Sequence, residues 1–429
     1  MHMADALLSP SVGTAMWGVT VGAITFCSAK LKSGMDDRKV PLMGVLGAFL
    51  FAAQMINFTI PATGSSGHLG GGLLLAALLG PHAAFLTIAS VLMVQALFFA
   101  DGGLLALGCN IFNLGIIPAF VAYPLIYRPL AGRMTSSAQS TAAAILAALT
   151  SLQLGAFCVV LETSLSGISS LPFTTFASLM QPVHLAIGLV EGVVTAVIIT
   201  FVHKARPDIF TADASSRGSL LSSIVPAFLA LALITGGFIS WFASEKPDGL
   251  EWSIKQATGR EELEAPKEAV HGRLAAIQDK VSFMPDYDFK KAAGSKEEKS
   301  RLGTSLAGLI GALITLLVTG AAAFMLRMKQ QLAARKPHTY EHSHPHVHEH
   351  DHPHSHGELL HSHSHSHEHS HPHPHLHDHS DPHKADPDPH HSHEAKMAEH
   401  SHRHDDPDHG SHEHHHDQPM KEVRDEADH

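Results

Sequence analysis

The segment PATGSSGHLGGGLLLAALLG, residues 61–80, combines a glycine-rich turn with an apolar run that is too short to cross a membrane. The hydrocarbon core of a bilayer needs about 20 apolar residues of helix, and the run from Leu69 to Gly80 falls below that length. Irregular backbone occurs at membrane depth only where protein or a cavity surrounds it. We therefore expect a short helix here that enters part of the membrane, with a functional site at its start.

Longer apolar stretches on both sides of this segment predict an all-α membrane protein. With the short helix they give nine predicted membrane helices. The eight long spans are residues 9–30, 39–58, 83–100, 103–127, 139–162, 182–202, 219–243 and 302–326. The average composition conceals this organisation, because 45% hydrophobic residues and a mean hydropathy of +0.08 combine these spans with polar segments.

The composition changes divide the chain into three parts. We expect a seven-helix membrane bundle in residues 1–210 and a two-helix accessory unit in residues 211–328, with a polar extracytoplasmic loop at 244–301. Residues 329–429 form a His-rich tail. The formal net charge of −11 comes mainly from the loop and the tail, so it gives no indication of a nucleic-acid partner.

Basic residues predict the orientation in the membrane. Lys and Arg follow the first, fifth, seventh and last spans, whereas the short loops 59–67 and 163–181 contain none. Cytoplasmic loops carry the excess of positive charge. We therefore expect a multi-pass protein of the bacterial inner membrane, surrounded by lipid, with its N-terminus outside and its tail in the cytoplasm.

The first residues, MHMADALLSP, offer ligands for a metal ion. A free Met1 amine, the backbone nitrogen of His2 and the His2 imidazole Nδ1 can chelate one cation in a nearly planar arrangement, which suits Ni(II) or Cu(II). We expect Met1 to be retained, since its removal requires a small second residue, and we see no cleavable signal. His68 is the candidate for a fourth nitrogen, because its glycine-rich turn lies on the same side. The alternative is that His68 is a bonded core histidine.

Four polar residues could orient these ligands through hydrogen bonds, as outer partners of metal ligands do. Asn110 and Asn113 share one helix face, and Gln95 and Asp101 precede them. Polar contact between helices explains them equally well. The glycine cluster is not a phosphate-binding loop, because the chain lacks a GxxxxGK[ST] motif. We therefore expect a transporter component without its own ATPase, not an enzyme, and no resident cofactor.

Three segments resemble one family of membrane proteins. MHMADALLSP, TGSSGHLGGGLLLAALLGP and QALFFADGGLLALGCNIFNLGI are similar to CbiM/NikM, the substrate-binding subunits of energy-coupling factor (ECF) transporters for cobalt and nickel. KPDGLEWS, residues 246–253, with its flanking spans, resembles the small companion CbiN/NikN, fused here in the same chain. The resemblance covers roughly residues 1–328. It implies that Met1, His2 and His68 bind the metal, and that a transmembrane coupling (T) subunit and paired ABC ATPases drive import.

The tail contains 32 of the 38 histidines of the chain. Such a low-complexity segment cannot bury a core, so we expect it to be disordered. Clustered imidazoles favour metal buffering inside the cell, although a tail without a fixed role remains an alternative. A second function stays open beside the ECF component: a stand-alone secondary carrier of divalent metals with a metal-buffering tail. Glu162, His184 and Glu191 are the few residues that could line its ion route.

Overall fold

The computed structural model describes residues 2–32, 39–132, 137–205, 220–260, 263, 269–290, 300–334, 338–356 and 359–377. The chain divides into two compact units, Met1–Lys336 and Pro337–His429. Met1, the first proposed ligand, lies outside the described residues, as does Arg38 between the first two spans.

The first unit is almost entirely helical. The helices are α1 (Pro10–Lys32), α2 (Lys39–Gln54), α3 (Gly72–Leu79), α4 (Pro81–Phe99), α5 (Leu107–Ala131, with π-helical turns over Phe112–Tyr127), α6 (Ser137–Ser166), α7 (Phe173–Ala205), α8 (Leu220–Gly237), α9 (Gly249–Thr258), α10 (Ala269–Val281) and α11 (Arg301–Ala334). A two-residue pair of strands, β1 (Phe58–Thr59) and β2 (Ser66–Gly67), connects α2 to α3. The all-α membrane fold that the sequence predicts is thus confirmed.

Two of the eight long spans are shorter than predicted. Within the described residues, six helices are long and apolar enough to cross a membrane: α1, α4, α5, α6, α7 and α11. The second predicted span, 39–58, ends as a helix at Gln54, because the chain turns there into β1. The span at 219–243 ends as a helix at Gly237, before a 3-10 turn at Ile239–Phe242. In contrast, α7 begins at Phe173, well before the predicted start at residue 182, and includes Pro182.

The short helix α3 starts where two glycines allow a close approach of the chain. Gly71 has a left-handed backbone (φ +73°) that side chains disfavour. A Cβ on the next residue, Gly72, would lie 2.4 Å from the main-chain oxygen of Leu114 in α5. The glycine-rich turn therefore brings the start of α3 directly against α5, and a second glycine with a positive φ, Gly80 (φ +79°), leads into α4.

The polar segment after α8 lies over the loops that precede α3 and α5. The main-chain N–H of Ser66 in β2 donates to the oxygen of Pro247 at 2.8 Å, and that of Ser244 donates to the oxygen of Asn57 at 2.7 Å. Asp248 then starts α9 with a capping box, in which its carboxylate accepts two backbone hydrogen bonds. Further on, the Gln278 amide of α10 donates to the oxygen of Gly102 at 2.8 Å. We call residues 244–290 the accessory segment.

The second unit differs from the predicted disorder over its first part. Strands β3 (His338–His356) and β4 (Leu359–His377) pair antiparallel, with His338 opposite His377. Histidine alternates with other residues along most of this sequence, and a period of two is the repeat of an extended strand. Residues 378–429 lie outside the described part of the chain.

Candidate metal-capture site

The amino-terminal stretch is fixed in place by the loop between α4 and α5. The Met3 N–H donates to Asn110 Oδ1 at 2.8 Å, and the Met3 oxygen accepts from the Gly103 N–H at 2.9 Å. The Asn110 amide nitrogen donates to the same Met3 oxygen at 3.3 Å. The Met3 side chain is fully buried. These contacts leave the residue before Met3 little freedom of position.

The accessory segment also contacts this stretch. His271 of α10 has its Nε2 2.9 Å from the main-chain oxygen of Leu8, and since a carbonyl only accepts, the ring donates. Asp5 accepts from the Ala106 N–H at 2.9 Å on the opposite side. Residues 2–8 are therefore held between the bundle and the accessory segment.

His2 is a buried imidazole with one bonded and one unbonded nitrogen. Its side chain is 7% exposed, and its Nδ1 lies 2.8 Å from Asp101 Oδ1. The Tyr287 hydroxyl of the accessory segment donates to the other oxygen of Asp101. The pKa of Asp101 is lowered, because its pairing with His2 and Tyr287 outweighs the opposing effect of burial. The Nε2 of His2 is buried and has no hydrogen-bond partner.

The ring of His68 stacks on the ring of His2. The ring centroids are 4.9 Å apart and the planes differ by 17°. His68 Nδ1 lies 3.1 Å from the Leu69 oxygen, so Nδ1 carries the proton and Nε2 holds a lone pair when the ring is neutral. Burial lowers the pKa of His68 to about 3, with smaller contributions from nearby charges, so the ring is neutral at ordinary pH. Neutral imidazole is the form that binds metals.

A buried carboxylate holds the glycine turn that carries His68. Glu191 of α7 accepts from the Gly70 N–H at 2.8 Å and from the Gly71 N–H at 3.0 Å, one bond on each oxygen. The Gln54 amide donates to the Gly70 oxygen at 2.9 Å. The main chain next to His68 is thereby fixed by side chains from α2 and α7.

The structure brings some, but not all, of the predicted ligands and their predicted hydrogen-bond partners together. His2 and His68 come together, Asp101 contacts His2, and Asn110 holds Met3. Asn113 departs from the prediction, since its amide donates to Glu162 at 2.8 Å. Gln95 is buried, and its main-chain oxygen accepts from the Asp101 N–H at 3.1 Å.

The predicted chelate also differs in detail. In the predicted chelate, Nδ1 of His2 binds the metal ion. In the structure this nitrogen instead contacts the Asp101 carboxylate. Among the described residues, no three His, Cys, Asp or Glu side chains are placed to hold a metal together. A planar nitrogen site at this position would thus need main-chain or amino-terminal nitrogen in addition to the two imidazoles.

Sequence reasoning identified none of the contacting residues of the accessory segment, and it assigned Glu191 differently. It did not assign Asp248, Tyr287 or His271 to this region. The quoted KPDGLEWS segment includes Asp248, but no pattern in the chain says that it lies beside a turn almost 180 residues earlier. Glu191 and His184 were considered as an ion route, with bonding to other groups as the alternative. The structure shows each of them bonded to main-chain groups of other residues.

Comparison with known proteins identifies the family. The family described as "Cobalt uptake substrate-specific transmembrane region" (CbiM) matches residues 2–209, and the PDGLE domain matches residues 222–328. The cobalt transport protein CbiM of Sorangium cellulosum is 34% identical over 216 residues, 49% of this chain and 94% of that protein. The chain belongs to the CbiM family. It is a CbiM/NikM-type subunit fused to a CbiN/NikN-like region.

Other members of the CbiM family support this assignment. The fused nickel transport protein NikMN of Rhodobacter capsulatus is 27% identical over 349 residues, 75% of this chain and 96% of that protein. A protein of Haloquadratum walsbyi, described as a metal transport protein, is 34% identical over 209 residues, 49% of this chain and 93% of that protein. The chain is thus a multi-pass membrane component of cobalt or nickel transport.

Proposed function

We propose that the chain captures Ni(II) or Co(II) outside the cell and releases it inward as the substrate-binding component of an ECF-type transporter. The observation that carries this proposal is the stacked, buried pair of His2 and His68, with an unbonded Nε2 on His2. Two imidazoles suit borderline cations such as nickel and cobalt. In this proposal the 1–210 bundle captures the ion, and the 211–328 unit covers the site.

The capture step requires a local rearrangement of His2. The fused chelate uses the Met1 amine, the His2 main-chain nitrogen and Nδ1, so the ring has to leave Asp101 when the metal binds. His68 then supplies the fourth nitrogen. The hydrogen bonds of Asn110 to Met3 and of Glu191 to the glycine turn keep the two parts close during this change. Release follows when the amino-terminal stretch is displaced and the planar set is dismantled.

Energy for this displacement comes from separate subunits in our proposal. A T subunit contacts the cytoplasmic loops, with residues 30–39 and 127–133 as contributors, and paired ABC ATPases act through it. The N-terminus is outside and the tail is cytoplasmic, where its histidines buffer the imported ion. The basic residues after the first, fifth, seventh and last spans support this orientation.

Uptake of radioactive nickel by cells tests the proposal. Cells with the complete set of subunits should accumulate nickel, and removal of only the ATPases should abolish uptake. His2→Ala and His68→Ala should each abolish uptake while the protein remains in the membrane. Undiminished uptake without the ATPases would instead establish the stand-alone carrier, and undiminished uptake by both histidine variants would eliminate the site.

A further inference from the structure

A small cavity lies between α7 and the start of α9, beside the capture histidines. Its volume is about 10 Å³, roughly the space of one water molecule. Its lining includes His68, His184, Asp248 and Gly249. Two of these residues belong to the accessory segment, and His184 belongs to α7. None of the contacts described for metal capture uses His184.

His184 presents an unbonded nitrogen inside the protein. Its Nδ1 lies 2.8 Å from the main-chain oxygen of Met180, and because that oxygen only accepts, Nδ1 carries the proton. The other nitrogen, Nε2, is buried without a hydrogen-bond partner, on a residue that is 1% exposed. A histidine that donates one N–H to a carbonyl and directs its lone pair elsewhere has the arrangement of a metal ligand.

The carboxylate of Asp248 contacts the start of α9 and also lies near His68. Oδ1 accepts from the N–H groups of Leu250 and Glu251 at 2.8 and 2.9 Å, which caps α9. Oδ2 lies 4.0 Å from His68 Nε2. Metal ions of this class bind nitrogen and oxygen ligands at about 2.0–2.2 Å, so one ion could contact both atoms. The accessory segment thus places a carboxylate in the wall of the cavity, next to His68.

The absence of a side chain at Gly249 leaves space beside the His184 ring. A Cβ on Gly249 would lie 3.0 Å from His184 Cε1, which is tighter than an ordinary contact. Any larger residue after Asp248 would therefore press on the His184 ring. The sequence Asp248-Gly249 supplies both the carboxylate and the space.

We propose that this cavity is a second, transient binding place for the transported divalent cation, with His184 Nε2 and Asp248 Oδ2 as ligands that exchange the ion with His68. The proposal rests on the metal-capture function and adds a residue-level role for the accessory segment. Among the described residues no three ligating side chains hold one point in common, so the ion keeps water molecules here. The lower affinity that follows is suited to a site that the ion occupies only during transport.

Variants that keep the local hydrogen bonds test the proposal through nickel uptake. His184→Asn retains a donor for the Met180 oxygen but loses the ligating nitrogen. Asp248→Ser retains a good helix cap but loses the carboxylate. His203→Asn, at the far end of α7, is the matched control. In cells with the complete transporter, we expect the first two variants to lower the initial rate about tenfold or more. Their level in the membrane and their melting temperature should stay unchanged, and the control should transport normally.

Anomalous diffraction at the nickel edge locates the ion directly. In crystals of the full-length His2→Ala protein soaked in nickel chloride, the ion should stop in the cavity, bonded to His184. The double variant His2→Ala/His184→Asn should lose this peak. Uptake within twofold of wild type for both single variants, or no peak in the cavity of the His2→Ala protein, would overturn the proposal. Lack of nickel at His2 and His68 in the wild-type protein would instead refute the capture function itself.

Discussion

Two regions of the chain concentrate histidine in opposite ways. At the amino end, the side chains of His2 and His68 are buried and stacked, and hydrogen bonds from other elements hold the segments that carry them. In the tail, 32 histidines repeat in similar short patterns, so that many positions are equivalent. The first region offers few donors in one arrangement, and the second offers many donors in many arrangements.

This difference separates two tasks that a metal importer has to perform. Capture from a dilute solution requires ligands that are held close together before the ion arrives, so that only the His2 ring has to move and most of the entropic cost of ordering is already met. Buffering requires capacity, for which the number of imidazoles matters more than their arrangement. We therefore expect single changes at the amino end to have large effects on nickel uptake, and single changes in the tail to have almost none.

Removal of one capture imidazole should have the largest effect. We expect His68→Ala to lower nickel uptake by more than about 100-fold, beyond the roughly 10–100-fold effects of outer partners. The matched control is His365→Ala in the tail, which should change uptake by less than about twofold because many equivalent imidazoles remain. Equal effects of the two variants in a radioactive-nickel assay would break the comparison.

Extension of the chain ahead of Met1 should have an effect of similar size if the amine is a ligand. Two added residues, Gly-Ser, leave every side chain in place but remove the amine from the chelate. We expect uptake to fall to the level of His2→Ala. Normal uptake by a protein shown by mass spectrometry to retain the extension would exclude the amine from the site.

Variants of the two asparagines of α5 distinguish a role in positioning the amino end from a role in general contact between helices. Asn110 holds Met3, whereas Asn113, one turn further, binds Glu162. We expect Asn110→Ala to weaken nickel binding about tenfold or more. Asn113→Ala should leave binding within about threefold. Uptake measured at low and at saturating nickel would show the weaker binding as a higher apparent KM. A larger effect of Asn113→Ala than of Asn110→Ala would mean that Asn110 does not position the amino end.

A smaller effect is expected at Glu191. In Glu191→Gln, one carboxylate oxygen becomes an NH₂ group that cannot accept from the Gly70 or Gly71 N–H, so the turn before α3 loses one bond. We expect nickel affinity to fall several-fold, because the net contribution of one hydrogen bond is about 1 kcal/mol. Gln54→Glu removes the other hydrogen bond to this turn, because a carboxylate cannot donate to the Gly70 oxygen, and we expect a similar loss of affinity. No change in affinity in either variant would show that the turn is held by its glycine backbone alone.

Truncation before His338 should change uptake least. Initial rates should stay within about twofold, while the nickel bound per chain, measured by elemental analysis, should fall sharply because most imidazoles are gone. A truncated protein that no longer transports would contradict the division of tasks between the two regions.

The sequence predicted the helical membrane fold and the meeting of His2 with His68, for physical reasons that are local. A long apolar stretch predicts a membrane helix. The glycines at 70–72 indicate that another part of the backbone packs closely against this turn. Contacts between distant segments are different. Asp248 and Tyr287 look like ordinary loop residues, and only the folded chain places them beside His68 and Asp101. Asn110 and Asn113 share a face in the sequence pattern, but their separate partners, Met3 and Glu162, depend on packing that no periodicity encodes.

The measurement that tests the account most directly is anomalous diffraction from nickel-loaded crystals of the full-length, unmodified chain. The account predicts one strong nickel peak in the first unit, with nitrogens of both His2 and His68 about 2.1 Å away, and with the His2 ring moved from Asp101. A protein that transports nickel but shows no ion between these two imidazoles would contradict it.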